Sequence, residues 1–307
     1  MMLNLLNVYN GMKNIVLIDW SWFLFRSWYA ISPILDKEWR NINVVFGFCR
    51  MMMKLFLEKP DYFVIAWDSP IKTKRHEEYQ EYKATRRKME DEFKQQIPLV
   101  KDLVTELWIP NLTFPWYEAD DITYTVVEKF KDDKSLNFQV YTSDKDLKQF
   151  LCDNIVIKDS MKNQTTTLLD FRKEFWFEPE LIIDYLALIW DHADNIKWVT
   201  WIWHKKALSL VQNYWTVENI YEHLDEFTPD LRDKLENDRE SAFFSKHLIQ
   251  LMNVDDMNGY QLDNFAFSID FDKREDILLK KWDFKSMAKL FQELKKIYTQ
   301  PQLLWLF

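Results

Sequence analysis

The sequence predicts an α/β domain with a mainly parallel central sheet, followed by a helical domain. Three observations predict it: short apolar runs recur up to about residue 170, helix-length amphipathic stretches separate them, and beyond that point apolar residues recur only at helical spacing. In order, Asn14–Asp19 (NIVLID) reads as a buried strand, Val44–Leu57 as an apolar helix and Asp61–Asp68 (DYFVIAWD) as a second strand. Glu90–Leu107 carries Phe93, Ile97, Val100 and Val104 at helical spacing, Asp120–Phe130 is another helix, and Phe138–Thr142 (FQVYT) is another strand. From Phe171 the pattern turns helical: Pro179–Ile189, His204–Tyr214, Val217–His223, Pro229–Glu236 and Glu240–Met252 read as short helices. The tail opens on a weak strand signal (YQLDNFAFSID) and ends in a helix, Phe284–Tyr298. The expected organisation is an extension at 1–11, an α/β domain at 12–170, a helical domain at 171–255 and a tail at 256–307.

The 307 residues are 48% hydrophobic and 29% charged, enough for real cores and unlike disordered or collagenous chains. Two cysteines make no disulfide framework and point to a reducing compartment. No apolar run is long enough to cross a membrane, and the start MMLNLLNVYN lacks the features of a signal peptide, so a cytoplasmic location is expected. One feature is abnormal: average usage gives roughly 20 glycines, whereas this chain has 3, beside 15 tryptophans. The net charge of −9 argues globally against nucleic acid, unless many of the acids gather around cations.

The acids do fall in a pattern. Asp19 and Asp68 close the first two strands, Glu118, Asp120 and Asp121 stand at a helix start in YEADD, Asp144 and Asp146 follow a strand in TSDKD, and Asp191 and Asp194 follow an apolar helix in WDHADN. Sites in open α/β sheets form outside the carboxyl ends of the strands. A single aspartate there is ordinarily a turn or cap residue. Five acidic groups at successive element ends suit divalent cations, and a pair of ions can serve phosphodiester hydrolysis. After Asp68 comes Ile71–Lys88, with seven Lys/Arg, three Glu, and Tyr79 and Tyr82 interleaved. That composition fits either a solvated helix or a single-strand binder, which needs cations for phosphates and rings for bases. Trp198, Trp201 and Trp203, followed by Lys205 and Lys206, crowd a turn between helices. There is no glycine-rich phosphate loop, and the five histidines show neither zinc spacing nor a triad.

These residues resemble the 5′-nucleases: the bacterial 5′→3′ exonuclease domain of DNA polymerase I and the flap endonucleases. The likeness is carried by VLID-x-S-x-FLFRS, AWDSP with KRHEEYQEYKATR, YEADD, TSDKDLKQ and DxADNIKxVTxI, in unbroken order over about 12–255. The resemblance implies a PIN-like nuclease domain with a basic helical arch at about 71–90, a helix-three-turn-helix DNA-binding domain at 171–255, and a tail belonging to the nuclease module. It implies structure-specific 5′→3′ exonuclease and flap-endonuclease hydrolysis of DNA in replication and repair, with two Mg²⁺ ions (Mn²⁺ as a substitute) and a K⁺ at the helix-three-turn-helix. Its metal acids carry over to Asp19, Asp68, Glu118, Asp120, Asp121, Asp144, Asp146, Asp191 and Asp194. Lys83 and Arg86 become the catalytic cations on the scissile phosphate. Phe23, Arg26, Arg75, Tyr82, Lys197, Trp198, Trp201, Trp203, Lys205 and Lys206 become DNA contacts. The implied partners are DNA with a 5′ flap or end, RNA–DNA hybrids and a polymerase acting in trans, with a monomeric chain and no membrane. Two rivals stay open: a non-catalytic DNA-binding relative, and a PIN-type ribonuclease. The departures share one character, since tryptophan stands where the family has glycine at 20, 22, 108, 116, 190, 198, 201 and 203, with 39, 176 and 215 similar, whereas Trp67 stands where the family has a bulky residue. UGA codons that the source organism reads as glycine would produce this pattern.

Overall fold

The computed structural model describes residues 11–86, 88–159, 162–189, 194–196 and 199–299. The strands are β1 (Lys13–Asp19), β2 (Tyr62–Trp67), β3 (Asn111–Thr113), β4 (Leu136–Tyr141), β5 (Ile155–Asp159) and β6 (Gln164–Thr166). They form one sheet in the order β3-β2-β1-β4-β5-β6, parallel except for β6. Every residue of β2 is buried, as expected for a central strand with helices on both faces.

The helices over the sheet are α1 (Trp20–Ala30), α2 (Asn43–Phe56), α3 (Lys74–Glu78), α4 (Asp91–Glu106) and α5 (Ala119–Phe130). Local chemistry starts two of them: Asp19 caps α1 by accepting from the Ser21 amide at 3.1 Å, and Glu118 with Asp121 closes a capping box on α5. β1 pairs with β2 through the α1–α2 crossover, and the chain later returns to pair β4 on the other side of β1. Connections therefore diverge beside the carboxyl end of β1, the topological switch point where α/β crevices open.

The helical part comprises α6 (Leu168–Phe175), α7 (Ile182–Leu188), α8 (His204–Tyr214), α9 (Val217–Glu222), α10 (Pro229–Asn237) and α11 (Arg239–Ile249). Asp184, buried on α7, joins three of these helices by accepting from the Val217 amide at 2.8 Å and pairing with Lys246 at 2.6 Å. Two further helices lie in the tail, α12 (Phe271–Asp276) and α13 (Ala288–Thr299), and the tail returns to the sheet domain where the Phe267 amide donates to the Asp61 carbonyl and Tyr298 Oη to that of Phe56.

Two elements differ from the sequence reading. The YQLDNFAFSID segment forms a 3₁₀ turn, Leu262–Phe265, with one bridge between Ala266 and Tyr62, because Asn264 Oδ1 takes the Gln261 amide at 2.6 Å and draws the backbone into a turn. The expected helix from Phe284 opens as a 3₁₀ turn, Lys285–Met287, and becomes α-helical at Ala288. Residues 1–10, expected to be an extension, lie outside those described.

Candidate metal and phosphate site

Asp19 ends β1, in register with Ala66 of β2, while Asp68 follows β2 by one residue and Asp144 follows β4 by three. Their carboxylates meet Asp120, on the first turn of α5, in one crevice. Asp120 is held well above the usual carboxylate range, first by burial and then by repulsion from Asp144, Asp19 and Asp68, with Lys83 acting the other way. Asp19 is pushed up to about 6, again by burial first and then by Asp68 and Asp144, although Ser21 donates to it. Thr142 donates to Asp19 at 3.1 Å, the Asp144 amide donates back to Thr142 Oγ1 at 3.0 Å, and the Asp146 amide donates to Asp144 Oδ1 at 2.8 Å. Asp68 is fixed by the Ala119 amide at 2.9 Å, which ties the β2 end to the start of α5. A cavity of about 380 Å³ opens beside Asp68, lined by Ser21, Phe25, Arg86, Lys88 and Phe93 among others.

The basic segment folds over this crevice as α3 and a run of turns. Lys83 Nζ lies 2.9 Å from Glu118 Oε1 and 4.0 Å from Asp194 Oδ2. Arg86 pairs with Asp194, and Tyr82 Oη reaches Glu118 at 3.0 Å and Asp194 at 3.1 Å. Burial opposes the charge on Asp194, yet Lys83 and Arg86 outweigh it and hold the carboxyl below its ordinary range. Lys83 is raised despite its burial, by Glu118 and then Asp194. The backbone joins the same contacts: the Lys83 amide donates to the Asp194 carbonyl at 2.9 Å, and Asn195 Nδ2 to the Glu81 carbonyl at 2.9 Å.

Burial places four of the expected site residues, Arg75, Asp121, Phe23 and Tyr82, away from solvent, at odds with the roles expected of them. The Arg75 side chain is taken up by protein groups. The residue is 4% exposed, and its guanidinium grips Asp121 at 2.8 and 2.9 Å and donates to the Leu248 and Gln250 carbonyls at 2.8 and 3.0 Å. Asp121 is fully buried and takes, besides Arg75, the amides of Glu118 at 3.1 Å and Met252 at 3.0 Å. Its oxygens thus serve a strut between the arm, α5 and the end of α11, and do not face the crevice. Phe23 is core, packed edge-on to Phe48 and Tyr141. Tyr82 is likewise buried, its hydroxyl turned to the two acids. Arg26 is half-buried, with its guanidinium 5.4 Å over the Trp22 ring. Trp201, Trp203, Lys205 and Lys206 are exposed at the entry to α8. Asp191, Lys197 and Trp198 lie outside the described residues.

Among the described residues no three acids stand close enough together to form a ready metal cluster, but the donor types are those a hard divalent ion takes. Asp19, Asp68, Asp120 and Asp144 offer only carboxylate oxygens, they repel one another, and Asp120 Oδ1 is buried without a hydrogen-bond partner. Glu118 and Asp194 could complete a second position, where Lys83 and Arg86 balance their charge in this structure.

Residues 14–176 match the model of the 5′-3′ exonuclease N-terminal resolvase-like domain, and residues 177–272 match that of the 5′-3′ exonuclease C-terminal SAM fold. The chain belongs to the 5′-3′ exonuclease family. It is 33% identical over 286 residues to a 5′-3′ exonuclease of Aquifex aeolicus, covering 92% of this chain and 93% of that one. It is 31% identical over 288 residues to DNA polymerase I of Caldicellulosiruptor bescii, spanning 92% of this chain but only 32% of the polymerase. The fold is also similar to that of the bacteriophage T5 D15 flap endonuclease, solved as a pseudo-enzyme-product complex with DNA and metal ions, with a TM-score of 0.65 at 17% identity over 94% of this chain and all of the other. The architecture is therefore a resolvase-like, PIN-like α/β domain with a helical SAM-like domain after it.

In this 5′-3′ exonuclease family member, sequence reasoning missed Lys101. It lies on α4 with its ammonium 5.1 Å over the Trp67 ring, and burial lowers its pKa while Asp68 raises it. It is the residue four places after Ile97 on the helix face read as apolar, a position at which a lysine signals a nearby acid. Thr142 was also missed, as the last residue of an apolar strand. Among the described residues no helix is long and apolar enough to cross a membrane.

Proposed function

We propose that the chain is a structure-specific, divalent-metal-dependent 5′-nuclease that hydrolyses DNA phosphodiesters at 5′ ends and flaps. One observation carries the reading: acids from distant stretches of chain share a single crevice beneath a basic arm, where burial and the charges of Asp68 and Asp144 raise the proton affinity of Asp19 and Asp120. Asp19, Asp68, Asp120 and Asp144 would hold one Mg²⁺, and Glu118, Asp194 and Asp146 would help hold a second. When bound, such ions supply charge neutralisation at the phosphate and a water of lowered pKa.

The chain's own residues do the rest. Ser21 and Thr142 orient Asp19, and the Ala119 amide orients Asp68. Lys83 and Arg86, held beside the crevice by Glu118 and Asp194, would stabilise the charge that develops on the oxygens of a scissile phosphate. The exposed Lys205 and Lys206 at the start of α8 would contact duplex phosphates.

The test is cleavage of an end-labelled 5′-flap DNA in Mg²⁺ by the wild type and by Asp120→Ala, with a flap of the same sequence in RNA as the comparison. The reading expects DNA product from the wild type, lost in the variant. No product, or product undiminished in Asp120→Ala, defeats it, and preference for the RNA flap favours the ribonuclease reading.

A further inference from the structure

The backbone sets one group of tryptophans apart. Twelve of the fifteen lie among the described residues, and six of these, Trp39, Trp108, Trp116, Trp176, Trp201 and Trp215, have φ between 55° and 74°. The only other non-glycine residues there with positive φ are Lys59, Lys83, Asn163, Asn195 and Asp283, of which three are the Asn/Asp types that tolerate this region. Tryptophan has no such tolerance, because its Cβ meets the following carbonyl.

The six sites are places where chains use glycine. Trp176 sits just past α6 with φ 59° and ψ 26°, its amide donating to the Arg172 carbonyl at 3.0 Å. That is the left-handed helix stop, which glycine fills most often. Trp108 follows α4 in the same role, its amide on the Thr105 carbonyl at 3.0 Å. Trp215 ends α8 at φ 73° and ψ −71°, and the Thr216 amide bonds the Tyr214 carbonyl across it at 2.9 Å, making a three-residue turn of the rare strained hand. Trp39 turns the 36–40 loop, its amide on the Asp36 carbonyl at 3.1 Å.

Nor do the indoles repay the strain. Five of the six are 66–81% exposed and Trp116 is 43% exposed. No described residue forms an aromatic or cation–π contact with any of them. At negative φ three tryptophans are the opposite: Trp67 is buried with tilted ring contacts to Trp20 and Phe48, Trp28 packs edge-on to Phe93, and Trp282 donates to Glu106 at 3.1 Å, whereas Trp203, also at negative φ, is 70% exposed, and backbone angle does not sort Trp20, Trp22 and Trp203. Meanwhile the sequence carries only three glycines, of which Gly47 alone is enforced by packing, since a Cβ there would lie 2.5 Å from Ile31.

We propose that the polypeptide made by the source cell carries glycine at positions 39, 108, 116, 176, 201 and 215, encoded by UGA. UGA differs from the tryptophan codon UGG only in its third base and from the glycine codon GGA only in its first, so one codon read two ways yields this substitution and no other. Positions 28, 67 and 282 carry genuine tryptophan. The consequence for the site is local: Trp116 precedes Tyr117 and Glu118, and Trp201 precedes α8, so glycine removes a large ring from two backbone turns that border the proposed DNA path.

The gene and the native protein decide it. The expected result is TGA at the six positions with TGG at 28, 67 and 282, and tryptic peptides from source cells whose masses fit glycine at the six. TGG at the six positions overturns the proposal, as does TGA at 28, 67 and 282 alike, or an indole found in those peptides. A recombinant chain with all six changed to glycine provides an independent readout: its urea midpoint should rise above that of the tryptophan chain, and an equal or lower midpoint counts against glycine at these turns.

Discussion

The Arg75–Asp121 pair offers the sharpest separation of structure from chemistry, because the sequence reading made Arg75 a DNA contact and Asp121 a metal ligand. In Asp121→Ala, the guanidinium of Arg75, a residue 4% exposed, loses its bidentate carboxylate and keeps Glu118 at 3.3 Å and two carbonyls. The Glu118 and Met252 amides lose their acceptor as well. Removing one member of a buried ion pair typically destabilises by about 3–5 kcal/mol, since the survivor stays desolvated. Against a total of about 5–15 kcal/mol that is a large share. With a urea slope of roughly 3 kcal/mol per M, the unfolding midpoint should fall by about 1 M or more. Arg75→Met should fall similarly, and the double variant should fall by less than the sum, because each single change already pays for the same broken pair. The assay is urea unfolding by circular dichroism, paired with a Mn²⁺ titration of the folded protein. If Asp121→Ala kept the wild-type midpoint and instead lost Mn²⁺ binding, Asp121 would be a ligand and the strut argument would be wrong.

Other expectations follow from the same geometry. Asp19 has a folded pKa of about 6 against 3.8 when free, so the metal-free fold binds this proton more tightly than the unfolded chain does; its stabilising contribution is present below about pH 4 and is lost as pH rises to 6, roughly 3 kcal/mol in all. Urea midpoints in EDTA should therefore drop between pH 4 and 6.5 relative to Asp19→Asn, and excess Mg²⁺ should erase the drop. Each single Trp→Gly change at positions 39, 108 and 176 should stabilise by ~0.5–1 kcal/mol, the left-handed strain relieved less the added freedom of the unfolded chain; thermal melts of the three variants check this. Lys83→Ala should reduce flap cleavage by about 100-fold or more at saturating DNA, as loss of a cation on developing phosphate charge does, while flap binding in Ca²⁺ changes little; a purely KM effect would mean that Lys83 only docks the strand.

How far the sequence could be read depended on which residues topology alone places. The acids were legible because, in a parallel sheet, the carboxyl ends of all strands lie on one edge, so Asp19, Asp68 and Asp144 share a neighbourhood whatever the details of packing. β3 and β5 escaped notice, being a three-residue NLT and an apolar run of only three residues before Lys158 and Asp159, too short for a period to register. The cations resisted reading for a different reason. In the basic segment Lys74, Arg75, Lys83 and Arg86 look alike, yet one is a buried strut, one bonds Tyr117, and two hold Glu118 and Asp194. Their division is decided by what arrives from elsewhere: the Leu248 and Gln250 carbonyls at the end of α11 select Arg75 for burial because its fork can satisfy Asp121 and both carbonyls at once, a task for which lysine's single ammonium lacks the geometry. That contact spans more than 170 residues, and no local pattern records it. The tryptophans mark the converse case, in which backbone angle carries information that residue identity contradicts. α4, α6 and α8 each end at or one residue before a tryptophan-bearing turn of positive φ, a conformation that the residue type written there disfavours.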